Sequence, residues 1–355
     1  MRVDIVDPSA YTPPYDHALC AALARAGASV RLVTSRFAYA SVPAPEGYEL
    51  REAFYRHALG APGSAIRRGS KLAEHVPDML HYRRIAAAAD VVHFQWLDVQ
   101  WLDASLLPRR PTVLTAHDLL PREPRVGQAR AQRRLYDRVD AVVVHSDYGR
   151  RQLAAIGVPA TVIHHGAFEH LTRVHGSLPP ELPASDAPVV LFFGLLRPYK
   201  GLDTLLEAWR GIEGAELWIV GRPMISLDTS SAPRVRLVPR FVDDGEAAAL
   251  FARADIVVLP YTRTERLDFS GVFATGLAFA KPMVVSDIGG FGEVGAARLV
   301  PPGDVAALHD ALVGLLGDPD ARGRLSDAAR AAAAGPYSWD EAARKTLALY
   351  NDLLR

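Results

Sequence analysis

VVLFFGLLRPYKGLDTLLEAW, residues 189–209, carries in order an apolar run, a polar loop with two cations and a helical pattern. The run Val189–Phe193 stops at Gly194 and reads as a strand buried on both faces. The spacing after Gly201 predicts a helix over 203–210. A strand feeding a helix through a short loop is the repeating unit of a covered parallel sheet. Arg197 and Lys200 lie in the loop, and Gly201 permits close backbone approach just before the helix. Free N–H groups and the positive dipole end at a helix start favour an anion. Two cations there would neutralise a pyrophosphate, with the guanidinium engaging two oxygens at once. A plain solvent-facing loop with two basic residues fits the same letters equally well.

The same alternation runs in both directions. Downstream, strands are expected at 216–220, 235–238, 256–259, 283–285 and 298–300, with helices at 246–254, 271–280 and 304–316. Upstream, they are expected at 3–6, 30–33, 91–94, 112–115, 141–144 and 160–163. A helix is expected from Asp16, read as its N-cap, to Gly27, read as its stop. Cys20 falls inside that helix as a small core residue. Residues 173–188 hold four prolines and no apolar period, and read as an interdomain linker. SWDEAARKTLALYNDLLR, residues 338–355, places Trp339, Ala343, Leu347, Tyr350 and Leu354 roughly on one side of a helix. The expected fold is α/β: two doubly wound Rossmann-like domains facing a cleft. The boundaries are 1–172, a linker at 173–188, 189–336, and a C-terminal helix at 337–355.

Composition narrows the function. With 355 residues the chain has room for about two domains. Its 40 basic and 40 acidic side chains give no net charge, so nothing global favours nucleic acid. One cysteine excludes an internal disulfide and multi-cysteine zinc sites, and suits a reducing cytoplasm. Asp4 and Asp7 fall where a signal peptide needs its apolar stretch. Residues 1–175 carry 22 Lys/Arg against 17 Asp/Glu, and residues 176–355 carry 18 against 23. Arginines cluster at 67–84 and at 122–138. Either the basic first half meets an anionic membrane or phosphorylated surface, or it is simply solvated.

Ligands of open α/β sheets bind beyond the carboxyl ends of strands. The first such loop, DPSAYTPPY at residues 7–15, lacks the glycine pattern of a dinucleotide site, which disfavours a dehydrogenase. Its Tyr11 and Tyr15 suit either acceptor recognition or local packing. Ser270, Gly271 and Val272 follow a strand and open a helix, a second anion-type site. His117 follows a strand and faces either a ligand or the backbone. Asp118 beside it is an orienting partner or an N-cap. Asp318-Pro319-Asp320 has a metal-motif spacing but reads as a turn. His164 and His165 are adjacent and do not share a strand face, so no metal site is expected.

FGLLRPYKGLDTLLEAW, WIVGRP (218–223), RFVDDGEAAALFARADIVVLPY (240–261), FSGVFATGLAFAKPMVVSDIGGFGEV (269–294) and LVPPGDVAALHDAL (299–312) together resemble segments of family 4 retaining glycosyltransferases of the GT-B architecture. TAHDLLP (115–121), HSDYGRRQL (145–153), VIHHGAF (162–168) and YSWDEAARKTLALY (337–350) also fit. The resemblance implies transfer of a sugar from a nucleoside diphosphate sugar to an acceptor hydroxyl with retained anomeric configuration. The acceptor is a small molecule, glycan or lipid-linked group, and neither cofactor nor metal is implied. It implies catalytic roles for His117, Arg197 and Lys200. Donor binding falls to Gly194, Arg222, Phe241, Asp268, Phe269, Ser270, Gly271, Val272 and Thr275, and acceptor binding to Tyr11, Tyr15 and Asp118. The terminal helix is expected to return to the first domain. A cytoplasmic bacterial protein is implied, with peripheral contact at the inner membrane face through its basic half.

The sequence departs from that pattern at one place. The family carries two glutamates flanking seven residues in the donor loop, one toward the sugar and one toward the ribose. Leu267 and Thr275 stand there instead. Asp268 is the nearest substitute for the first carboxylate, and the Thr275 hydroxyl for the second. Two alternatives follow: a noncatalytic sugar-nucleotide-binding protein, or a nucleotide-sugar epimerase of the same fold.

Overall fold

The computed structural model describes residues 1–38, 42–97, 99–120, 127–182, 185–226, 233–262 and 266–355. Arg122 and Arg125, counted in the second arginine cluster, lie outside the described residues. The chain divides into two units, residues 1–166 with 339–355, and residues 167–338.

In the first unit the strands are β1 (Arg2–Asp7), β2 (Ser29–Ser35), β3 (Glu49–Phe54), β4 (Val91–Phe94), β5 (Thr112–Thr115), β6 (Ala141–Val144) and β7 (Thr161–Val162). They form one parallel sheet in the order β3-β2-β1-β4-β5-β6-β7. The chain reverses its direction of growth between β1 and β4, so the loops leaving those two strands diverge there. Helices α1 (Pro13–Arg25), α2 (Ala65–Ile85), α3 (Gln100–Leu106), α4 (Gln128–Tyr136) and α5 (Asp147–Ala155) belong to this unit. Its core gathers Val6, Phe54, Tyr82, Phe94, Leu114 and Val144.

Helix α1 begins earlier than expected. Thr12 occupies the N-cap position and Pro13 the first turn, where a missing N–H costs nothing. Asp16 therefore lies inside the helix, fully buried. Burial and the nearby Asp7 carboxylate raise its pKa well above the usual carboxylate range.

In the second unit the strands are β8 (Val189–Phe193), β9 (Glu216–Val220), β10 (Val235–Val238), β11 (Ile256–Leu259), β12 (Met283–Ser286) and β13 (Arg298–Val300). Their order, β10-β9-β8-β11-β12-β13, repeats the doubly wound scheme with its switch between β8 and β11. Helices α6 (Leu202–Ala208), α7 (Asp244–Arg253), α8 (Gly271–Ala278), α9 (Val305–Gly317) and α10 (Pro319–Ala334) cover it. Trp209, Leu217, Ile219, Val258 and Leu312 fill its core.

Two expectations need correction. Asp318-Pro319-Asp320 is the start of α10 and not a turn: Asp318 caps the helix by accepting the Ala321 N–H at 2.8 Å, with Pro319 in the first turn. Residues 173–182 are part of the second unit rather than a free linker. Leu171 and Leu182 are buried, and a Cβ on Gly176 would lie 2.2 Å from the Gly245 carbonyl oxygen. Pro183 and Ala184 lie outside the described residues. The last helix, α11 (Trp339–Leu353), packs on α1 within the first unit. Gly166 makes room for it, since a Cβ there would meet the Trp339 ring at 2.4 Å.

Candidate functional site

In the second unit the loop after β8 closes through a single 3-10 turn, Pro198–Lys200, and then through Gly201 into α6. Gly201 has φ +68°, and a Cβ there would sit 1.8 Å from the Pro260 carbonyl oxygen. Only glycine fits, which pins the loop to the end of β11. The turn folds Lys200 back so that Nζ donates to the Phe193 carbonyl at 3.3 Å, and the residue is only 6% exposed. Nζ also lies 5.5 Å from the centre of the Tyr261 ring. A Cβ on Gly194 would lie 2.8 Å from Nζ and 3.3 Å from Val272 Cγ2, so Gly194, Lys200 and Val272 meet at one point.

The first turn of α8 joins them. Ser270 is at the N-cap position, yet its side chain makes no capping bond; its Oγ lies 3.3 Å from the Tyr261 hydroxyl. The opening N–H groups of the helix are thus not closed off by that hydroxyl, and Gly271 reaches the surface. Phe269 stacks on Tyr337 and packs against Phe273 and Phe291, a rigid aromatic backing. Thr275 donates its hydroxyl proton to the Gly271 carbonyl at 2.9 Å. Its oxygen is left as an acceptor, the polarity a ribose hydroxyl needs.

The remaining donor-side residues are placed less closely. Arg197 is half-buried and has no ion pair among the described residues. Arg222 is exposed; its carbonyl accepts the Leu196 N–H at 3.0 Å, so its backbone lies beside Arg197. Phe241 is 55% exposed and makes no ring contact among the described residues. Asp268 is fully buried, so no oxygen of it faces solvent, and Leu267 beside it is also buried.

The first unit gathers a second cluster at its strand ends. His117 stacks on Trp96, with ring centres 5.0 Å apart and planes within 13°. Tyr11 packs on the same Trp96 ring and remains exposed. Trp96 Nε1 donates to Thr12 Oγ1 at 2.9 Å. Asp7 holds the loop by accepting the backbone N–H groups of Ser9, Tyr11 and Thr12. Tyr15, expected to touch acceptor, is instead a buried hub whose ring meets His117, His165 and Trp339 edge-on. Asp118 is half-buried beside His117. Burial lowers the pKa of His145 to about 4 and of His165 to about 3, so both are neutral.

Gln95, Trp96 and His145 belong to this cluster although the sequence reading did not single them out. Each follows the end of an apolar strand, and the strand-end rule applied uniformly would have found all three. Among the described residues no group of three or more His, Cys, Asp or Glu side chains is arranged to hold a metal ion. None of the described helices is long and apolar enough to cross a membrane.

Residues 15–167 match the family described as Glycosyltransferase Family 4, and residues 187–318 match Glycosyl transferases group 1. A phosphatidyl-myo-inositol mannosyltransferase of Mycobacterium leprae is 33% identical over 61% of this chain and 60% of its own. The chain spans between about half and three fifths of the length of such curated relatives. Sucrose-phosphate synthase from Thermosynechococcus elongatus superposes with a TM-score of 0.74 at 20% identity, over 99% of both chains. Anabaena HepE in complex with UDP and glucose superposes with a TM-score of 0.72 at 18% identity, over 99% of both chains. With its two parallel-sheet units and the two family matches, the chain belongs to the family 4 glycosyltransferases of GT-B fold.

Proposed function

We propose that the chain transfers a hexose from a nucleoside diphosphate sugar to an acceptor hydroxyl, with retention and without a metal ion. The carrying observation is the buried Lys200 ammonium at the switch point of the second sheet, lodged against Gly194, Val272 and Tyr261. When the bond from sugar to diphosphate breaks, negative charge grows on the leaving oxygens. A fixed ammonium, the Arg197 guanidinium and the open N–H groups of α8 lower the cost of that charge without reorganising. The Thr275 oxygen accepts from a ribose hydroxyl in place of a carboxylate. Retention requires the acceptor oxygen to arrive on the face from which the diphosphate departs.

The named relatives support a hexosyl donor: one is a mannosyltransferase, and another is a complex with UDP and glucose. A lipid-linked or polyol acceptor fits the same relatives. Peripheral membrane contact has support in residues 53–73, which hold Arg56, Arg67, Arg68 and Lys71 and no acidic residue. Leu59 and Ile66 in this segment are about 70% exposed. Apolar side chains among cations suit an anionic lipid surface.

Calorimetric titration with a panel of nucleotide sugars, followed by NMR of the product anomer, tests this reading. One sugar nucleotide is expected to bind and to yield a product of unchanged anomeric configuration. An inverted product would remove retention, and failure of every sugar nucleotide to bind would remove the donor assignment. Burial of Leu267 and Asp268 favours one second reading, a binding protein without turnover. Saturable donor binding with neither transfer nor hydrolysis would select it.

A further inference from the structure

His145 fixes the direction of a hydrogen-bond chain across the carboxyl ends of β4, β5 and β6. Its Nδ1 lies 2.9 Å from the Ile163 carbonyl oxygen. A carbonyl oxygen only accepts, so Nδ1 carries the proton. The ring is buried and neutral, which leaves Nε2 bare. That Nε2 lies 3.1 Å from His117 Nδ1, so His117 donates there. On its other side His117 Nε2 lies 3.1 Å from Gln95 Oε1, a second acceptor. With the Gln95 amide oxygen toward it His117 is flanked by two acceptors, and satisfying both requires a proton on each ring nitrogen; Gln95 Nε2 is then buried with no hydrogen-bond partner among the described residues.

We propose that His117 is an imidazolium, that Gln95 and His145 are the positioning residues that hold it in that state, and that it presents a fixed positive charge to an anionic substrate group. The surroundings suit a cation. The Trp96 ring lies parallel to it, and Tyr15 of α1 meets it in a T-shaped contact. His117 is only half-buried, so its charge keeps part of its hydration. Among the described residues, titratable groups near it include the neutral His145 from the end of β6, His165, which packs on Tyr15 and His145, His164, whose Nδ1 lies 3.0 Å from the His145 carbonyl oxygen, and Asp118 next in the chain. Gln95 is fully buried, and its N–H donates to the Val6 carbonyl at 2.8 Å, which ties it to the end of β1.

The charge state is read without any assay of turnover. In the nitrogen-15-labelled full chain at pH 7.5, long-range proton–nitrogen correlation of the His117 ring, assigned by its loss in His117→Gln, should give two nitrogens of protonated type. Gln95→Leu removes an acceptor and should lower the His117 titration by about one pH unit. Gln95→Glu keeps the shape, adds charge and should raise it. A merely structural Gln95 would not move the titration in opposite directions. One bare nitrogen at pH 7.5 would mean that the Gln95 amide is turned to donate, and the proposal would fall. The role toward substrate rests on the glycosyltransferase reading: kcat should fall as pH rises through the His117 titration, and Gln95→Glu should carry that fall upward. A kcat profile that stays in place while the NMR titration moves would refute that role alone.

Discussion

Lys200 is a charged side chain buried at a strand end, and the missing Cβ of one glycine leaves room for it. Glycine at 194 leaves the volume that Nζ fills, and alanine there would collide with it. Three of the buried histidines show the opposite solution, giving up charge altogether. His93 has its pKa lowered to about 3 by burial and by nearby His145, and it is held between Tyr350 and Thr115 hydroxyls at 2.6 and 2.7 Å. His145 and His165 behave alike. Their folded pKa values lie below the unfolded value near 6.5, so the unfolded chain takes up protons first as pH falls. Stability from this source is complete above about pH 6.5 and declines until about pH 3. By pH 5 the loss is at most ~2 kcal/mol for each histidine. Urea midpoints at pH 7 and pH 5 test this: His165→Gln should narrow the difference, and an unchanged difference would contradict it.

Single elements show where the sequence was legible. Strands β4, β5, β6, β8 and β11 coincide with their apolar runs because a parallel strand covered on both faces must be apolar throughout, and β9 and the edge strands β10 and β13 coincide with theirs as well. Strand β3, with the sequence ELREAF, sits at the sheet edge with only Phe54 buried, so its letters carry no such run. Helix α10 is rich in alanine and has Ala329, Ala332 and Ala333 as its buried residues, which leaves no apolar stripe to read. The loop from Arg197 to Gly201 was readable because a glycine between a lysine and a helix is a local signal. The cluster around Gln95 was legible only as separate strand ends, because its members meet through pairing of β4, β5 and β6.

Gly201→Ala tests the loop at this scale. The strained φ and the contact with Pro260 should destabilise the protein by roughly 2–4 kcal/mol and weaken nucleotide binding. Wild-type thermal stability would contradict the close approach. For residues 53–73, Leu59→Ser with Ile66→Ser should reduce cosedimentation with vesicles containing phosphatidylglycerol by about tenfold, given roughly 25 cal/mol per Å² for buried apolar area. Equal binding by the variant would remove the segment as a membrane contact.

Over the whole molecule, two units of the same doubly wound design use their strand ends differently. The first unit lines its ends with Tyr11, Trp96, His117 and His145, an aromatic and imidazole surface. The second offers an ammonium, a guanidinium and an open helix start, which the proposed function assigns to phosphate oxygens. The family matches cover one unit each, 15–167 and 187–318, so the resemblance follows the same partition. Neither glutamate of the usual donor loop is present, and the account therefore rests on cations and amides rather than on carboxylates. Calorimetric titration of the wild type and of Lys200→Ala with GDP and UDP, and with guanosine and uridine, measures this most directly. The account predicts a loss of about 100-fold for the preferred diphosphate and little change for its nucleoside. Equal losses for the diphosphate and the nucleoside, or no loss for either, would contradict it.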